Sequence, residues 1–149
     1  MATIRREITL DQPADLVWSV VTRVDLLHLW FPGLVDCTMG TGPDGAVRTV
    51  HLASGITMDE HIVVNDTDQR RLQYSITSPP LRSHLGVVDV IELSESSCLV
   101  VYSCDATPNP MALVIGGACG GALEELARQF AAGDGPVLRA VGISTAAAA

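Results

Sequence analysis

Two hydrophobic periods divide the chain. Residues 3 to 10 alternate, with Ile4, Arg6, Ile8 and Leu10 on one side and Thr3, Arg5, Glu7 and Thr9 on the other, which predicts a first strand. Asp11-Gln12-Pro13 then combines a capping side chain with a proline suited to a first helical turn, and Ala14, Val17, Trp18 and Val21 recur at i, i+3, i+4 and i+7. A short amphipathic helix is expected there. A second is expected from Leu26 to Trp30, capped by Asp25 and ended by Phe31-Pro32-Gly33. From residue 35 to 106 the period is two. Strands are predicted near 35 to 40, 46 to 53, 57 to 66, 70 to 78, 84 to 94 and 97 to 106. Their connectors GTGPDG, ASG, DTDQ, SPPLR and SESS are short and turn-rich, so the strands should form an antiparallel meander.

The last element is a long helix over residues 110 to 132, with Asn109 as its cap and Pro110 at its start. In its second half Leu123, Leu126, Ala127 and Phe130 share one stripe and Glu124, Glu125 and Arg128 another, the pattern of a packed surface helix. Its first half is apolar and carries Gly116, Gly117, Gly120 and Gly121. Each glycine costs about 0.8–1 kcal/mol relative to alanine inside a helix, so the run implies close backbone packing. Residues 1 to 133 are read as one domain and residues 134 to 149, which lack a strong period, as a loose C-terminal tail.

Composition narrows the function classes. Seventeen acids face nine arginines and no lysine, a formal net charge of −8, which disfavours a nucleic-acid partner. Hydrophobic residues make up 48%, yet no apolar run approaches the roughly 18 residues of a membrane span. The N-terminus lacks the build of a signal peptide, and a cytoplasmic location is expected. Cys37, Cys98, Cys104 and Cys119 form no CxxC pair and are expected to be reduced and buried. GGACGG lacks the Lys-Ser/Thr of a phosphate loop, and there is no GxSxG elbow. His51, Asp59 and His61 share a predicted outer face without a fourth ligand, so no metal and no cofactor are expected.

The order of elements is that of the helix-grip fold, an α+β architecture in which a curved seven-stranded antiparallel sheet wraps around a long C-terminal helix. With QPADLVWSVVTRVDLLHLWFPG and GAVRTVHLASGITMDEHIVVNDTDQRRLQYSI, the chain resembles the START/Bet v1-like superfamily, in particular its bacterial polyketide cyclase/dehydrase-type members. The matching positions are Pro13, Val17, Trp18, Asp25, Trp30, Gly45, Arg48, Gly55, Glu60, Asp66, Arg71, Leu72 and Tyr74, while His28 and Tyr102 stand where relatives often carry proline and tryptophan. The resemblance implies a cavity between sheet and helix. It further implies a small hydrophobic ligand such as a lipid, polyketide or isoprenoid, or else cyclisation or dehydration chemistry. Some relatives are toxins of toxin-antitoxin pairs, so a homodimer or a protein partner stays open.

Alternation assigns the cavity face: Arg48 and Val50; Met58, Glu60 and Ile62; Tyr74 and Ile76; Asp89 and Ile91; and Tyr102. Pairing Leu52 with Met58 across the ASGIT turn puts Arg48 diagonal to Glu60, close enough for an ion pair on an apolar wall. That pair is read either as mutual neutralisation of two buried charges or as an anchor for a polar head group. A catalytic version makes Glu60 or Asp89 a general acid/base and Tyr74 or Tyr102 a hydrogen-bond donor. Ligand contacts are also expected from Trp30 at the entrance and from Leu113, Gly117 and Gly120 on the helical roof.

Overall fold

A computed structural model describes residues 1 to 145, and the terminal alanines 146 to 149 lie outside the described residues. Seven strands form one antiparallel sheet: β1 (Ala2–Leu10), β2 (Leu34–Gly42), β3 (Gly45–Leu52), β4 (Thr57–Asp66), β5 (Arg71–Ile76), β6 (Ser83–Ser94) and β7 (Ser97–Thr107). Their spatial order is β1-β7-β6-β5-β4-β3-β2. The meander therefore runs without a crossover from β2 to β7, and β1 returns to close the far edge. Helix α1 (Ala14–Val21) and a 3-10 helix (Val24–Leu29) fill the β1–β2 connection, and helix α2 (Asn109–Ala132) follows the last strand. This is the helix-grip fold.

Local chemistry sets most boundaries. Val17, Val20 and Val21 of α1 are completely or almost completely buried, as the amphipathic spacing requires. Neither expected side-chain cap forms: Pro13 precedes α1 without a capping hydrogen bond, and Asp25 pairs with Arg23. Asn109 lies within α2 behind Pro108. Gly133, at φ +65°, takes the left-handed conformation that ends α2.

Helix α2 packs on β1 and β7 and makes no comparable approach to β3, β4 or β5. Its inward row, Ala112, Gly116, Cys119, Leu123, Leu126 and Phe130, is buried along its whole length. Gly116 is where the close approach occurs, since a Cβ there would land inside the Ile4 side chain. Gly117 and Gly121 face open space. The run of glycines thus has a packing reason at Gly116 and none at Gly117.

The expected loose tail is corrected in part. Residues Pro136–Val141 form a third helix, α3, whose Val137 and Leu138 are fully buried. A buried glutamine clamps it: Gln129 Oε1 accepts from the Val137 amide at 3.0 Å, while Nε2 donates to the Leu29 carbonyl at 2.9 Å. Two apolar side chains on one short turn carry too little periodicity to be visible beforehand.

Candidate functional site

Because α2 leans to the β1–β7 side, the concave face of β3 to β5 is left uncovered beneath its N-terminal half. There a cavity of about 430 Å³ opens, lined by Val50, Leu52, Met58, Glu60, Tyr74 and Ile76 from the sheet. Met111, Val114, Ile115 and Ala118 roof it from α2. Leu27, Phe31, Pro32, Gly33 and Leu34 line it from the segment after α1, and Ser78, Pro79, Pro80 and Leu81 from the β5–β6 connection. The volume falls within the ~300–1,000 Å³ of small-molecule pockets. Among the lining residues only Glu60 and Tyr74 carry ionisable side chains.

Glu60 is held by Arg48. The two residues face each other directly across β3 and β4, with Val50 opposite Met58. The expected diagonal arrangement is therefore corrected: the turn closes tighter, with the Leu52 amide donating to the Ile56 carbonyl and Gly55 at φ +91°. Arg48 Nε donates to Glu60 Oε2 at 2.5 Å, and Nη2 lies 2.5 Å from the same oxygen without alignment to donate. Nη1 donates to the Val24 carbonyl at 3.1 Å, and the guanidinium carbon sits 5.1 Å from the Tyr74 ring centre. Both side chains are almost completely buried, at 1% and 6% exposure.

Burial pushes the Glu60 carboxyl above the usual carboxylate range, with Arg48 opposing. Burial is the largest single influence and works against the Arg48 charge, but Glu60, Tyr102 and Tyr74 together outweigh it and the guanidinium stays protonated. Among the described residues no protein group donates a hydrogen bond to Glu60 Oε1. The carboxylate is thus fixed through one oxygen and uncommitted at the other.

Tyr74 is backed by a second tyrosine. Its hydroxyl and that of Tyr102 are 2.6 Å apart and share a hydrogen bond. Burial raises both phenols well above their ordinary value, so both remain neutral donors and acceptors. Tyr102 packs edge-on against Phe31 and tilted against Trp30, and supports Tyr74 from the core. His84, packed on Tyr74, accepts from the Ile76 amide at Nδ1, and burial lowers its pKa to about 4, which keeps it neutral.

Several predicted site residues stand elsewhere. Asp89 and Ile91 are on the outer face of β6: Asp89 makes a two-pronged bridge to Arg71 at 2.7 and 2.9 Å, and Ile91 is 46% exposed. The inner face of β6 carries His84, Gly86, Val88 and Val90. In SHLGVVDVIEL both alternating sets are largely apolar, so periodicity alone did not choose between them. Trp30 is buried core and borders a separate surface cleft of about 260 Å³ beside His28 and Glu125. Ile62 is half-buried and, like Arg48 and Tyr102, does not line the cavity.

On α2 the predicted contacts are displaced around the helix. Leu113 is 63% exposed, Gly117 borders open space, and Gly120 meets the Arg6 side chain. The true roof, Met111, Val114, Ile115 and Ala118, is itself an i, i+3, i+4, i+7 row and was available as a signal. Ser78 to Leu81 offered none, since SPPLR has the composition of an ordinary connector.

The remaining chemistry is muted. Burial pushes the Cys119 thiol up to about 12, the opposite of what a nucleophile needs. All four cysteines are free. His51 Nε2 lies 3.3 Å from Thr38 Oγ1, and Asp59 accepts from Thr49. No group of three or more histidine, cysteine, aspartate or glutamate side chains is placed to hold a metal among the described residues. No helix among them is long and apolar enough to cross a membrane.

Comparison with known proteins agrees with the fold. No curated protein matches the chain. A solution NMR structure of a protein from Thermobifida fusca shares 25% identity over 99% of this chain and 100% of its own, with a TM-score of 0.71. The ZhuI aromatase/cyclase from Streptomyces sp. R1128 is 20% identical, with 87% of this chain and 95% of that one covered and a TM-score of 0.68. Norcoclaurine synthase from Thalictrum flavum, in complex with dopamine and hydroxybenzaldehyde, is 16% identical, with 87% and 86% covered and a TM-score of 0.68. Likeness at this distance concerns the fold. The model of the family described as polyketide cyclase / dehydrase and lipid transport matches residues 1–133, and the chain belongs to that family.

Proposed function

We propose that the chain binds a small hydrophobic molecule in the cavity between the sheet and the N-terminal half of α2. The observation that carries this reading is the lining: a space of about 430 Å³ walled mainly by aliphatic, methionine, proline and aromatic side chains, with Thr57, Ser78 and Tyr74 supplying hydroxyls and Glu60 a carboxylate. Apolar walls supply affinity without direction, and a few polar groups fix orientation. The family description, which includes lipid transport, supports it. So does norcoclaurine synthase, whose structure of the same fold holds two small aromatic molecules.

The test is native mass spectrometry of gently purified protein, followed by thermal shifts with fatty acids, isoprenoid quinones and aromatic polyketides. A retained or added apolar ligand, with a rise in melting temperature, is expected. No bound species and no shift with any class would overturn the reading.

A second reading, cyclisation or dehydration of a carbonyl compound, is favoured by one observation: Glu60 lines the cavity with its carboxyl raised by burial, the condition that suits a general acid. Asp89, on the outer face, has no part in it. If the chain is such an enzyme, Glu60→Gln abolishes turnover while ligand affinity stays within about tenfold, or about 1.4 kcal/mol.

A further inference from the structure

The charge arrangement around Glu60 narrows the ligand class, on the premise that the cavity is a binding site. Oε2 is occupied by Arg48, whereas Oε1 receives no hydrogen bond from any described residue, and Glu60 lines the cavity. No arginine, lysine or histidine lines it with Glu60. The Tyr74 hydroxyl is paired with that of Tyr102.

Two consequences follow. Arg48 and Glu60 cancel each other, so the cavity holds no net charge to offset an ionised ligand. A carboxylate would bring an unpaired negative charge against Glu60 in apolar surroundings, and an ammonium would leave an unpaired positive one. An uncharged hydrocarbon avoids that cost but leaves Oε1 shut away from water without a donor.

We propose that the cavity selects neutral apolar molecules bearing a hydroxyl group, phenol or alcohol, which donates to Glu60 Oε1. With Glu60 ionised against Arg48, the ligand hydroxyl donates to the carboxylate oxygen that Arg48 leaves free. The proposal separates this cavity from a fatty-acid carrier, which places a cation where the ligand carboxylate rests.

The experiment compares three molecules with one ring system: 2-naphthol, naphthalene and 2-naphthoate. Each displaces the neutral fluorophore Nile red from the full-length protein near neutral pH. The expected result is that 2-naphthol binds at least about tenfold more tightly than either of the others, about 1.4 kcal/mol. In Glu60→Gln the uncompensated Arg48 should reverse the order and make naphthoate the preferred ligand. The double variant Arg48→Met/Glu60→Leu replaces the buried pair by apolar groups, an exchange such pairs commonly tolerate. It keeps the question answerable if the single variant does not fold, and it should bind naphthol and naphthalene alike. Equal affinity for all three in the native protein, or a preference for naphthoate, overturns the hydroxyl assignment and leaves the binding reading standing. Failure of Nile red and all three compounds to bind overturns both.

Discussion

The two halves of helix α2 rest on the same sheet and do different things. The C-terminal half sits in a solid core: Leu123, Leu126 and Phe130 are buried, and α3 adds Val137 and Leu138. The N-terminal half is supported along one side only. Its Ala112, Gly116 and Cys119 row is buried, while Met111, Val114, Ile115 and Ala118 overhang the cavity. One helix thus serves as core and as roof, and the change is made by how far the sheet curls away beneath it. If the cavity is the binding site proposed above, stability and function are separated along a single element: substitutions at one end should cost folding, and at the other, capacity.

The sharpest way to break that separation is at the cavity wall formed by β3 and β4, where Arg48 and Glu60 are buried together. Arg48→Met leaves a carboxylate without its partner and should destabilise the protein by about 3–5 kcal/mol near pH 8. Glu60 is already pushed above the usual carboxylate range by burial, and loss of Arg48 removes the opposing influence. A folded-state pKa raised above the unfolded value means that the folded chain holds its proton more tightly. Stability is then greatest below the unfolded pKa and falls as pH rises towards the folded one. The penalty in Arg48→Met should therefore shrink when urea denaturation is repeated near pH 5, and a penalty constant between the two conditions would show that Glu60 is not its source.

The next test sets the halves against each other directly. Leu126→Ala removes a fully buried side chain from the solid half and should cost about 2–5 kcal/mol. Ile115→Ala trims a side chain that already borders empty space and should cost about 1 kcal/mol or less while enlarging the pocket. Equal losses in chemical denaturation would mean that the N-terminal half is packed as tightly as the other.

The smallest effects distinguish neighbouring glycines. Gly116→Val must displace Ile4 and should destabilise by about 1–3 kcal/mol. Gly117→Ala meets nothing within 4 Å and should stabilise by up to about 1 kcal/mol through helix propensity. Thermal melts of the two variants should move in opposite directions.

Much of this division was legible in the sequence. The period-two stretches on β3, β4 and β5 placed Val50, Met58, Glu60, Tyr74 and Ile76 on one face because each strand has a distinctly polar reverse side. The spacing of ALEELARQF likewise announced the packed half of α2. Illegibility began wherever the polar contrast vanished. On β6 both faces are largely apolar, so alternation alone does not separate Asp89 and Ile91 from the inner face. In MALVIGGACGG no charged residue marks the solvent side, so the sequence does not distinguish the roof row from its neighbours Leu113, Gly117 and Gly120. The register of β3 on β4 depended on turn closure at Leu52 and Ile56, which composition does not specify.

Gly86 lies behind the cavity and is absent from its lining, yet the Tyr74 ring occupies the place where its Cβ would be. Any larger residue at that position would force the Tyr74 ring, which lines the cavity, to shift. The capacity of the chamber is therefore governed from its back wall, by an atom that is missing from a strand the ligand never meets. A substitution there would alter the cavity without changing any residue that lines it, and a comparison confined to lining residues would overlook it.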